Sequence, residues 1–228
     1  MTKKLTLYKL TTQDGKTRTG CLNETQWGEN ITNHADLSLP AILCTAGVIH
    51  AYESPLLAML LNPLHAEIEN PQLWEAEGEI VVRDNQLKCG CRSLTTTKKI
   101  PVPEITTEQK IRFAIGCGAT VCSDPKFLQW AVDWLSGEDK TAAVAWAAAE
   151  WTAAAAAEAA AAEAAARAAW AARTAWAART EAAEVSAREE AAWAAWAAAR
   201  AADIDLFTIA VWAMTEEGLE ELRERLEK

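Results

Sequence analysis

Between Thr141 and Ala202 about three residues in five are alanine, and most of the others are Trp, Arg, Glu and Thr, as in the run Trp170–Thr180. Alanine has the highest helix propensity, so helix forms readily here, but a methyl group buries little area and anchors a helix weakly. Anchoring therefore falls to tryptophan, at Trp146, Trp151, Trp170, Trp176, Trp193 and Trp196. At about 100° per residue Trp151 and Trp176 are nearly in line, whereas Trp146 and Trp170 point to other sides. Such a segment must touch several neighbours or consist of several helices with different buried faces. Alanine surfaces permit close helix approach, and each indole fills a gap, so these tryptophans are read as packing and assembly residues.

No glycine or proline occurs between Gly137 and Gly218. One uninterrupted helix of that length would span about 120 Å, an improbable rod for a chain of 228 residues. Ser186-Ala187-Arg188-Glu189 supplies an internal capping box where one helix can end and the next begin, and Asp203 offers a second break. Asp203–Met214 reads as a buried helix. Thr215 opens a last amphipathic helix with Leu219, Leu222 and Leu226 on one side.

Upstream the pattern changes to short strands and turns. Lys4–Thr11 is a strand candidate followed by the turn Asp14-Gly15, and Cys21–Asn33 reads as loop. Val48–Tyr52 is strand-like. Ser54-Pro55 reads as the N-cap and first position of a short helix, Leu56–Leu61, stopped at Asn62-Pro63. Trp74, Ala76, Gly78, Ile80 and Val82 then alternate with Glu75, Glu77, Glu79, Val81 and Arg83, and Asp84-Asn85-Gln86 turns the chain into Leu87–Leu94. This predicts an antiparallel hairpin with a solvated glutamate row opposed by Lys88 and Arg92.

Pro101 and Pro103 hold an extended linker, and Thr106 with Gln109 forms a capping box opening a helix whose buried side is Ile111, Ala114, Ile115, Gly118 and Cys122. Ser123-Asp124-Pro125 caps another helix, with Leu128, Ala131, Val132 and Leu135 on one face and Trp130 and Trp134 stacked one turn apart. Gly137 ends it. The expected architecture is α+β: an antiparallel-sheet domain over 1–104, a helical pair over 105–137, an Ala/Trp-rich helix or helices over 138–202, and C-terminal helices over 203–228.

A formal charge of −10 argues against a general nucleic-acid or anionic-membrane binder, which needs excess Lys and Arg. Met1–Leu10 has too short an apolar run for a signal peptide, and no charge-free apolar stretch is long enough to span a bilayer, so a cytoplasmic protein is expected. Six cysteines, at positions 21, 44, 89, 91, 117 and 122, are then expected as free thiols. Cys89 and Cys91 share one strand face and read as buried thiols rather than metal ligands, because their spacing is not that of a zinc knuckle. His34, His50 and His65 lie far apart in the chain with no ligand spacing, Gly116-Cys117-Gly118 lacks the context of a dinucleotide loop, and no metal or cofactor is expected.

The runs Leu7–Leu10, Gly47–Pro55, Leu73–Glu79 and Ile105–Gln109 resemble an uncharacterised family of tailed-phage and bacterial proteins, in which an N-terminal domain of about this length precedes a variable alanine- and aromatic-rich helical tail. That resemblance implies an accessory protein in the cytoplasm of a bacterial host that captures a host protein or a small nucleotide; the lack of a catalytic constellation makes it a non-enzymatic binder, and the tryptophans of the alanine segment, sticky if left exposed, make it a homo-oligomer. Trp27, His50, Tyr52 and Arg92 are its candidate ligand-binding residues. The order Leu7–Lys9, Gly47–Ala58, Glu75–Glu79 is also similar to the three motifs of ADP-ribosyltransferases, which bind NAD in a split sheet. It implies Tyr8, Lys9, His50, Tyr52, Glu77 and Glu79 as the catalytic set, with Tyr8 or Lys9 where that family carries Arg or His. A structural scaffold is the third expectation.

Overall fold

The computed structural model describes residues 5–21, 24–119, 125–138 and 205–226. Trp146, Trp151, Trp170, Trp176, Trp193 and Trp196, the breaks at Ser186 and Asp203, and Cys122 lie outside the described residues. The chain divides into two compact units, Met1–Glu104 and Ile105–Lys228. An antiparallel sheet in the first and helices in the second place the described chain in the α+β class.

Alternating burial in the expected hairpin gives the two longest strands of the chain, β6 (Gln72–Asp84) and β7 (Lys88–Ile100). Around them lie β1 (Thr6–Thr11), β2 (Lys16–Thr17), β3 (Thr25–Gln26), β4 (Ile31–His34) and β5 (Ile49–Ala51). β1 pairs with the free edge of β6, while β4 and β5 share the other edge of β7 end to end, all antiparallel. β2 and β3 form a separate small ribbon. β3 and β4 fall within and just beyond the stretch expected to be loop, for at two and four residues they are too short to show a period.

The hairpin is longer than the sequence pattern suggests, and its register slips between Glu75 and Ala76, Gly78 and Ile80, and Ile80 and Val82. Opposite Gly78 and Ile80, β7 supplies two residues, Arg92 and Ser93, where β6 supplies only Glu79. This bulge rephases β7, so that Cys89 and Cys91 before it and Leu94 after it join one buried cluster with Leu7, Trp27, Ala51 and Ala76. It also corrects the expected charge pairing. Lys88 lies opposite Asp84, Glu75 lies opposite Lys98, and Glu77 lies opposite Thr95.

Arg92, at the bulge, turns to the connection between β4 and β5 and donates to the carbonyls of Leu39 at 2.8 Å and Gly47 at 2.6 Å. Those two strands can therefore lie end to end on β7 with their long connection fastened between them. Gly78 makes room for the bulge, since a Cβ there would stand 2.7 Å from the Ser93 carbonyl.

α1 (Pro55–His65) starts as expected, with Ser54 Oγ accepting from the Leu57 N–H. It does not stop at Asn62-Pro63. Proline removes a single hydrogen bond and so close to the end of a helix is tolerated, while the Asn62 carbonyl accepts from both Ala66 and Glu67. The Asn62 side chain, 1% exposed, closes a two-way clasp on the backbone of Ile68, donating to its carbonyl and accepting from its N–H.

In the second unit α2 (Thr107–Ala119) opens on the expected reciprocal cap, Thr106 N–H to Gln109 Oε1 and Gln109 N–H to Thr106 Oγ1. α3 (Pro125–Ser136), α4 (Leu206–Met214) and α5 (Glu216–Leu226) complete it, with α4 against α2 and α5, and α3 against α5. The buried face of α3 is Phe127, Trp130, Ala131, Trp134 and Leu135, rotated from the expected one because its large aromatics, rather than Leu128 and Val132, face the core. Gly116 on α2 lets α4 approach closely, for a Cβ there would meet Ile209 Cγ2 at 2.7 Å.

Replacing Gly78 with alanine forces the bulge carbonyl to shift and should destabilise the first unit by about 1–3 kcal/mol. Amide exchange of β6 and β7 should accelerate accordingly, with α2 and α3 unchanged.

Candidate functional site

In the first unit a cavity of about 1050 Å³ opens beside the buried cluster. β1 contributes Lys9, the β2–β3 ribbon and the residues after it contribute Arg18 and Trp27, β5 and its flank contribute His50 and Tyr52, the end of α1 contributes His65, and the start of β7 contributes Lys88. The remaining wall comes from the β4–β5 connection, held by Arg92, and from the segment after α1, clasped by Asn62. Elements that fold for backbone reasons thus bring together side chains about 80 positions apart in sequence.

The cavity is lined by three cations, Lys9, Arg18 and Lys88, and by four carboxylates, Glu24, Asp36, Glu67 and Glu69. Lys9 is half-buried, and its Nζ donates to the His50 carbonyl at 2.8 Å and lies 5.0 Å from the centre of the Trp27 ring. Loss of hydration, reinforced by the nearby Arg18 charge, lowers its pKa from 10.5 to about 8. Lys88 Nζ donates to the Cys44 thiol at 3.2 Å. Among the described residues neither Lys9, Arg18 nor Lys88 forms an ion pair with a carboxylate. Of those carboxylates, Glu24 accepts from Lys16 at 2.9 Å, Asp36 accepts from Ser38, and Glu67 and Glu69 line the cavity as exposed side chains.

Two imidazoles stand among these cations and are kept neutral. Burial, then the Lys88, Lys9 and Arg18 charges, lowers the pKa of His50 to about 4, and its Nε2 accepts the Cys44 N–H at 3.0 Å, which places its proton on Nδ1. Burial and Lys88 lower that of His65 to about 3. The His65 ring stacks on Tyr52 with centroids 5.9 Å apart, and its Nδ1 lies 3.4 Å from the Tyr52 hydroxyl. Burial raises the Tyr52 pKa, so the phenol stays protonated. His65 Nε2 is buried with no hydrogen-bond partner among the described residues, an arrangement that costs roughly 1–3 kcal/mol elsewhere in proteins.

Of the sequence candidates, Lys9, Trp27, His50 and Tyr52 line this cavity together. Tyr8 does not. It pairs with Tyr52 through backbone hydrogen bonds in both directions. Arg92 supports the wall from behind through the two carbonyls it holds. Glu77 and Glu79 are exposed on the face of β6 opposite Ala76, outside the cavity. Arg18, His65 and Lys88 carry no sequence signal of their own, since each is an isolated basic residue whose role comes from tertiary placement. His34, His50 and His65, distant in sequence, all line the cavity, although no cluster suited to a metal ion occurs among the described residues. Cys89 and Cys91 are buried behind it as free thiols. No described helix is long and apolar enough to cross a membrane.

Comparison with protein-family models, with curated proteins and with solved structures found no match to this chain.

Because His50 and His65 titrate near 4 and 3 when folded and near 6.5 when unfolded, the unfolded chain takes up protons that the folded chain refuses. Their contribution is therefore flat above pH 6.5 and turns unfavourable as pH falls from 6.5 toward 4 and then 3. Urea midpoints should decline across that window, His50→Gln should flatten the upper part of the slope, and imidazole NMR signals of both residues should remain neutral at pH 5.

Proposed function

We propose that the first unit is a non-enzymatic binding module for an anionic small molecule carrying an aromatic ring, of the nucleotide class. The observation that carries this reading is the set Lys9, Arg18 and Lys88 at one cavity, none of them in an ion pair with a carboxylate among the described residues. Lys9 and Lys88 are half-buried and Arg18 is exposed, so the two lysines in particular gain when an anion enters. Trp27 and Tyr52 in the same walls are buried, one under Lys9 and the other against His65, and give the cavity an aromatic lining that suits a ligand with a planar base. An overall charge of −10 suits selective capture of a small anion at this site better than broad adhesion to a nucleic-acid backbone.

The resemblance of Leu7–Leu10, Gly47–Pro55 and Leu73–Glu79 to a phage and bacterial family supports an accessory role, in which such a module sequesters a nucleotide signal, or a host protein, in a bacterial cytoplasm. The alanine/tryptophan segment serves self-assembly in this reading, on sequence grounds alone, because sparse large aromatics in an alanine surface favour a second copy as partner. The transferase-like alternative draws support from Lys9, His50 and Tyr52 meeting in the cavity; Glu77 and Glu79 lie outside it.

Calorimetric titration with purine and pyrimidine monophosphates should give saturable binding. Arg18→Gln and Lys88→Gln should each weaken it roughly tenfold, while Glu77→Gln and Glu79→Gln stay within about twofold of the parent. Failure of every nucleotide and of inorganic phosphate to bind would sink the reading, and turnover of NAD that disappears in Glu77→Gln would replace it with the transferase. Light scattering should show an oligomer that reverts to monomer when Trp146, Trp151, Trp170 and Trp176 are changed together to alanine; a parent that stays monomeric at high concentration removes the assembly claim.

A further inference from the structure

Lys9 differs from the other cations of the cavity in what surrounds its nitrogen. An ammonium group has three N–H donors and needs acceptors or water for each. At Lys9 the chain offers the His50 carbonyl, the face of Trp27 and, on the remaining side, the cavity. No carboxylate among the described residues pairs with it, and Arg18 adds a like charge. With a pKa near 8 the side chain is mostly ammonium at neutral pH with a minor fraction of free amine, which can donate one N–H to the His50 carbonyl and leave its lone pair facing away from β5. Burial beside a second cation is a recognised way to convert lysine into a nucleophile at neutral pH.

We propose that Lys9 is an amine nucleophile that forms an imine with the aldehyde or ketone carbonyl of an anionic ligand held in this cavity. The inference rests on the reading of the cavity as an anion site, and it adds the carbonyl to the ligand's chemistry. The nitrogen lone pair attacks the carbonyl carbon, a C–N bond forms, and the π pair moves to oxygen. The proton lost by nitrogen balances the one gained by oxygen to give a carbinolamine. Loss of the second N–H proton with the hydroxyl as water breaks the C–O bond and leaves C=N. Amine and carbonyl give imine and water, with no oxidant or reductant required.

The protein environment favours each stage. The pKa of about 8 leaves on the order of a hundredfold more free amine at neutral pH than an ordinary lysine holds. Arg18 and Lys88 hold the anionic end of the ligand near the amine, as proximity demands. Trp27, 3% exposed, and Tyr52, 6% exposed, shield the imine from bulk water. Lys16, by contrast, is paired with Glu24 at 2.9 Å, and Lys98 and Lys99 are exposed on β7, so none of the three shares this setting.

The test uses the full chain and pyridoxal phosphate as an anionic aldehyde probe, with borohydride reduction and peptide mapping. Lys9 should be labelled at least roughly tenfold faster than Lys98, Lys99 and Lys126 at neutral pH. Its rate should reach half-maximum near pH 8, and benzaldehyde, which has no anionic group, should label it far more slowly. Lys9→Arg should abolish the label while keeping the charge; peptide mapping and the pH profile of the parent need no variant to fold. Labelling spread evenly over exposed lysines, or a Lys9 profile centred near 10.5, overturns the inference. Calorimetry with adenosine monophosphate, which has no free carbonyl, separates the two readings: binding without preferential Lys9 labelling removes the imine and leaves the anion site, whereas absence of both removes the two together.

Discussion

Every backbone donor and acceptor along the two edges of the β6–β7 ribbon needs a partner, and the first unit is arranged around meeting that need. On the β6 edge β1 runs alongside Gln72–Glu77, the first half of the strand. On the β7 edge two short strands divide the work, with β4 on Ser93–Thr96 and β5 on Cys89–Cys91. The join between them would be a gap in the ladder. Arg92 stands at that join, its own carbonyl accepting from Ala35 and its guanidinium holding Leu39 and Gly47. A long connection is thereby fixed to the sheet and becomes a cavity wall, so the site is a by-product of closing an edge.

The electrostatics of the cavity run against stability. Lys9 and the two imidazoles have their charged forms disfavoured by burial and by the cations around them, Arg18 and Lys88 among these. A domain of about a hundred residues carries only several kcal/mol of net stability, so such a cluster is a considerable burden on its core. That core is made of small and medium side chains, Leu7, Ala51, Ala76, Cys89, Cys91 and Leu94 with Trp27. Concentration of unfavourable charge in one place, beside a His65 nitrogen with no partner among the described residues, is what makes this cavity the candidate site.

Features governed by local chemistry were legible in the chain. Ser54-Pro55, Thr106 with Gln109, the turn at Asp84-Asn85-Gln86 and the alternation from Trp74 to Val82 all express interactions within a few residues. The site was half legible: Lys9, Trp27, His50 and Tyr52 were visible as chemically capable residues near recognisable strands, whereas Arg18, His65 and Lys88 acquire meaning only through pairing at long range. The bulge at Arg92-Ser93 explains the failure to place Arg92. Cys89, Cys91 and Leu94 do not obey one period of two, and no pattern in this chain announces where the phase changes.

That change of phase also governs how the chain can vary in length. A strand with strict alternation cannot gain or lose one residue without exchanging its faces, and in β6 this would carry Glu75 and Glu77 into the cluster now occupied by Ala76. At Arg92-Ser93 the strand already holds one residue more than its partner, so a deletion there would restore simple alternation on that side and move only Leu94 and the residues beyond it in β7. The hairpin thus alternates stretches that must keep their count with joints at which the count is negotiable, at Arg92-Ser93 as at the slips beside Ala76 and Val81. Related chains with insertions or deletions in the sheet should show them at such joints, accompanied at Arg92-Ser93 by a residue with a side chain opposite it in place of Gly78.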